Sequence, residues 1–113
     1  NPNQEKKQVD IVGHAWFFHR DLLGAFWSAN DKPLDLFCGE DVHFSYSIQK
    51  HLGLNTYVPP HPSDDLELWG SQPTEAMKYG VDNNAISVNS DGVQFGLSLT
   101  HYYNKGFNLL NVA

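Results

Sequence analysis

Two stretches of this 113-residue chain carry side chains whose types and spacing suit chemistry. The first is Gly39-Glu40-Asp41-Val42-His43-Phe44, two adjacent carboxylates following a glycine at the head of a helical pattern. A carboxylate in the first turn of a helix meets free N–H groups and the positive end of the macrodipole, so it stays ionised. Within reach of a hydroxyl it can take the proton as that oxygen attacks. The same dipeptide also suits plain helix capping. Position separates the two residues: Asp41 shares a face with Phe44, Ile48 and Leu52 and is expected to point inward, leaving Glu40 to cap.

The second stretch is Tyr57-Val58-Pro59-Pro60-His61-Pro62. Prolines around His61 fix φ and reduce the entropy lost when the ring is held in place. A neutral imidazole so held suits a divalent metal, with Asp64 or Asp65 behind it; a surface loop histidine is the other reading. Leu68-Trp69-Gly70-Ser71 follows on the same loop. Its ring can stack on a ligand and its glycine permits close backbone approach, or the Trp simply plugs the core. Asp10, Gly13, His14 and Trp16 lie along the first apolar run, where glycine admits close approach of a ligand or marks a bulge. His14, His19, His43, His51 and His101 show no zinc-type spacing and read as structural or surface residues.

The elements that must position these groups are short. Residues 9–19 read as a strand rich in Val, Ile, Trp and Phe. Asp21 opens a segment, residues 22–27, with apolar residues at helical spacing, and Asn30-Asp31-Lys32-Pro33 is a turn. A helix is expected from just after Gly39 to Gly53, then a short strand over residues 55–58 that Pro59-Pro60 ends. Residues 59–73 are loop-like, residues 75–79 suit one helical turn, and residues 79–84 are turn chemistry. Residues 93–105 suggest an amphipathic helix with Phe95, Leu99 and Tyr102 or Tyr103 on one side and Gly106 as its cap. The expectation is one α/β domain segment over residues 1–113, a short mixed sheet flanked by helices.

Composition narrows the function further. A net charge of −6 with scattered basic residues excludes a phosphate-backbone grip on nucleic acid. The single cysteine, Cys38, excludes an internal disulfide, and its acidic neighbours disfavour a thiolate nucleophile. Glycine-rich dinucleotide and P-loop signatures are lacking, as is a serine nucleophile elbow. No apolar run approaches the length of a membrane span, and a cytoplasmic setting is expected.

Three stretches in order carry a resemblance: residues 9–18 (Val-Asp-Ile-Val-Gly-His-Ala-Trp-Phe-Phe), residues 39–44 and residues 57–62. Together they resemble the acceptor-side, C-terminal half of GT-A glycosyltransferases, closest to family-2-like and exostosin-like bacterial or viral enzymes. Leu68-Trp69-Gly70-Ser71 and Tyr79-Gly80-Val81-Asp82 also look like this group, so the resemblance spans residues 9–82, with a weaker echo at residues 102–107. It implies a glycosyltransferase segment, a hexosyl- or deoxyhexosyltransferase, moving a sugar from a nucleotide-diphosphate donor to a glycan hydroxyl in polysaccharide biosynthesis. Asp41 would be the catalytic carboxylate, assisted by Glu40. Asp10, Gly13, His14 and Trp16 would line the acceptor pocket, and Trp69, Gly70 and Ser71 the donor side. His61 would help to hold Mn²⁺ or Mg²⁺ on the diphosphate. The family's Asp-x-Asp metal motif does not occur here, so the nucleotide-binding half must come from elsewhere and the segment alone is expected to be inactive. Exposed sheet edges would then favour pairing with that half or self-association. Two rivals are a noncatalytic carbohydrate-binding or assembly module using Trp16, Trp27 and Trp69, and a small metal-dependent hydrolase built on Asp41 and His61.

Overall fold

Among the described residues one helix is covered on two sides by the elements that pack against it. The structure is a computed structural model that describes residues 4–13, 15–28, 34, 39–60 and 93–111. In chain order these form strand β1 (Lys7–Val9), a 3₁₀ turn (Arg20–Leu22), helix α1 (Leu23–Phe26), helix α2 (Glu40–Leu52), strand β2 (Thr56–Val58) and helix α3 (Val93–Asn104). The described residues are therefore mixed α/β. The two strands pair antiparallel, with Lys7 opposite Val58 and Val9 opposite Thr56. The Thr56 hydroxyl adds a 2.7 Å bond to the carbonyl of Val9.

Helix α2 starts and stops where the glycines dictate. Gly39 sits at φ 108° as its N-cap, and Gly53 at φ 65° closes it, donating its N–H to Gln49. Both are left-handed conformations that glycine adopts without Cβ strain. Gly39 is constrained a second time by packing. A Cβ there would lie 2.5 Å from Ser98 Oγ and 2.8 Å from Ser98 Cβ, so α3 touches bare backbone at the head of α2.

The expected single buried stripe on α2 is replaced by burial all round: every residue from Val42 to Ile48 is buried. On one side Val42 and Tyr46 pack with Tyr102 and Phe107. On another, Phe44 and Ile48 pack with Ala25, Trp16, Leu22 and Phe26. A helix covered on two sides cannot keep a polar face dry without partners, and its polar residues have them. Ser45 Oγ accepts the N–H of Val12 at 3.4 Å, and His43 is bonded at both ring nitrogens.

Other expectations shift in detail. The strand expected over residues 9–19 is ladder-paired only at Lys7–Val9, before most of that run. Residues 15–19 lie instead across α2, with the Trp16 and Phe18 rings 5.5 and 4.9 Å from that of Phe44. Helix α3 buries Ser98, where the tight approach at Gly39 admits only a small side chain, and Tyr102, while Phe95 is exposed. The helical turn expected at residues 75–79 and the loops around it lie outside the described residues.

Residues 107–110, after α3, are tied back to the rest of the fold. The amide of Phe107 bonds to the Tyr102 carbonyl at 2.9 Å, and Gln49 and Asn108 exchange two bonds of 3.1 and 2.8 Å. Asp10 Oδ1 accepts the N–H of Leu110 at 2.8 Å across a hundred residues of sequence.

Candidate functional site

Asp41 occupies the first turn of α2, half-buried, while Glu40 beside it is exposed. No side chain caps the helix at Gly39; Asp41 itself bonds the orphan N–H of Val42 through Oδ1 at 2.8 Å. The division of labour expected from sequence is therefore corrected: the inward carboxylate also serves a helix-end donor, and Glu40 caps nothing. Asp41 Oδ2 faces Gly13, at 3.8 Å from where a Cβ on that glycine would stand. The backbone N–H of Asp41 itself also bonds its carboxyl.

Burial holds the Asp41 carboxyl above the ordinary range, with the bond to Val42 pulling the other way and the charge of Glu40 adding to the rise. A carboxylate that is partly desolvated, and so held above its ordinary range, is a better proton acceptor than a free surface aspartate.

Along the same face of α2, Phe44 and Ile48 floor a groove of about 490 Å³. Its walls include Val12, Trp16, Phe18 and Tyr57, and Lys6 lies over the Tyr57 ring at 4.6 Å. Asp41 lies one helical turn before Phe44 but does not itself line this groove.

Asp41, Gly13 and Trp16 are thus brought to one side of α2. Asp10 is directed to another task, the tie to Leu110. His14, His61, Trp69, Gly70 and Ser71 lie outside the described residues. Among the described residues no three His, Cys, Asp or Glu side chains are grouped to hold a metal ion. Nor is any helix among them long and apolar enough to cross a membrane.

Sequence reasoning passed over His43, the most connected polar side chain of the core. Its Nε2 lies 2.7 Å from the Phe26 carbonyl and Nδ1 lies 2.5 Å from the Tyr102 hydroxyl. A carbonyl can only accept, so Nε2 carries the proton and Nδ1 accepts from Tyr102. Ser47 Oγ sits 3.3 Å from the same Nε2. Burial pushes this imidazole below its ordinary range; the Phe26 bond opposes that, and His51 and His101 add to the fall. The signal available in sequence was its position between Val42 and Phe44, inside a run with no charge from Val42 to Ile48.

No protein-family profile, curated protein or solved structure matches this chain.

Proposed function

We propose that this chain is the acceptor-side part of a GT-A-type glycosyltransferase, with Asp41 as the base that activates the acceptor hydroxyl. The observation that carries the reading is the half-buried Asp41 carboxyl: one oxygen is held by the helix-end N–H of Val42 and the other faces Gly13. A sugar hydroxyl placed there would give its proton to Oδ2 as its oxygen bonds to the donor's anomeric carbon. The bond from that carbon to the nucleoside diphosphate would break, and its electron pair would leave with the phosphate. The aromatic groove floored by Phe44 and Ile48 suits a glycan, whose apolar ring faces stack on Trp and Tyr while hydroxyls stay wet.

The donor, its nucleotide and the Mn²⁺ or Mg²⁺ implied by the resemblance are assigned to a nucleotide-binding part supplied separately. The described residues gather no ligand set for a cation, and no step above passes through one.

The test is transfer from radiolabelled nucleotide sugars to glycan acceptors by the complete enzyme, run beside acceptor binding followed by NMR. Asp41→Asn is expected to lower turnover by about 10²–10⁴-fold while leaving the shifts that acceptor induces at Gly13 and Trp16 in place. Equal turnover by the variant removes Asp41 from the mechanism. A noncatalytic glycan-binding module is the second reading, favoured by the 70% exposure of Trp27 and the placing of Trp16 in the groove. Glycan binding with no transfer under any nucleotide sugar would select it.

A further inference from the structure

The groove on α2 carries one charge that nothing answers. Phe44 and Ile48 form its floor, with Trp16, Phe18, Leu22 and Tyr57 around them. Phe17 also lines it and is 99% exposed, so apolar surface faces water at its mouth. Among the described residues that line the groove, Lys6 alone carries a charge. Its ammonium stands 4.6 Å from the centre of the Tyr57 ring, beside β2, and keeps N–H donors for an anion. The ion pairs among the described residues join His19 and Arg20 to Asp21, so no carboxylate there is paired with Lys6. On the same rim the Thr56 hydroxyl is spent on the Val9 carbonyl, and Asn55 beside it supplies an amide.

Each half of that arrangement selects part of a ligand. The rings and branched side chains gain by taking an apolar body out of water, in proportion to the area covered. The ammonium gains by meeting a negative charge, and the attraction is stronger against an apolar wall than in open water. A neutral glycan would stack on the rings and leave Lys6 unanswered.

We propose that the groove binds a monocarboxylic acid with an apolar tail, the tail along Phe44 and Ile48 and the carboxylate on Lys6 Nζ. One lysine matches one negative charge, which selects a monoanion over a doubly charged phosphate ester. The volume of about 490 Å³ lies within the range of small-molecule sites. Asp41 does not line the groove, so the proposal stands or falls apart from the sugar-transfer reading.

Calorimetry on the full chain with octanoate, decanoate and dodecanoate, each below its micellar concentration, tests this beside the NMR shift of the Trp16 indole. Affinity should rise about fourfold per added CH₂, with the Trp16 signal moving in step. Lys6→Glu should weaken decanoate by about fivefold or more, leave decanol unchanged and favour decyltrimethylammonium. Lys6 is exposed, so the fold survives the change, which an unaltered thermal midpoint checks. Absence of heat and of a Trp16 shift with decanoate, equal decanoate affinity in Lys6→Glu, or affinity indifferent to tail length would each overturn the proposal. A neutral oligosaccharide that shifts Trp16 where decanoate does not would also overturn it, and would leave the groove to a glycan.

Discussion

Replacing Gly39 by Ala tests how the head of α2, and with it Asp41, is held. Two separate penalties apply. At φ 108° any side chain strains the backbone, which costs about 1–3 kcal/mol. The new Cβ would also stand 2.5 Å from Ser98 Oγ and 2.8 Å from Ser98 Cβ. Ser98 is 1% exposed and cannot swing aside, so overpacking adds about 1–3 kcal/mol. The sum, about 2–6 kcal/mol, is a large share of the ~5–15 kcal/mol that usually holds a domain together. Ser98→Gly removes both colliding atoms but leaves the φ strain, and by itself costs about 1 kcal/mol in the middle of a helix. Urea unfolding of the two single variants and the double variant then closes a cycle. The double variant should be more stable than additivity predicts by about 1–3 kcal/mol, the overpacking share alone. Additive losses would mean that α3 does not close on Gly39, and the account of how Asp41 is positioned would fail with it.

Three further outcomes follow from the core and the carboxylate. Tyr102→Phe leaves the buried Nδ1 of His43 without a donor and should cost about 1–3 kcal/mol in chemical denaturation; a change within error would deny that bond. Because the His43 imidazole is held below its ordinary value, the unfolded chain binds its proton first on acidification. Stability should therefore fall as pH drops below about 6.5, and ¹⁵N spectra should show His43 of the folded protein still neutral and protonated on Nε2 where the unfolded chain has already charged it. Asp41 has the opposite sign: its carboxyl is raised, so the contribution present below about 3.9 is lost as pH rises through the folded value. Asp41→Asn should accordingly be more stable than the parent at pH 7 and no more stable at pH 3, and a destabilised variant at pH 7 would show that the bond to Val42 outweighs burial.

The sequence by itself determined where α2 starts and stops and where α3 ends. Gly39, Gly53 and Gly106 all adopt positive φ, and local backbone sterics of that kind need no distant partner. Prolines 59 and 60 ended β2 for an equally local reason, the missing N–H. Other features depended on contacts between residues far apart in the chain, which no periodicity records. Burial on all sides of α2 arises because the Trp16–Phe26 region covers one flank and α3 with Phe107 covers another. The ties from Asp10 to Leu110 and from His43 to Tyr102 join residues 100 and 59 positions apart. Asp10 looked like a ligand-binding group and His43 like a bystander, because residue type states what a side chain can bond and only the packed chain decides which partner arrives.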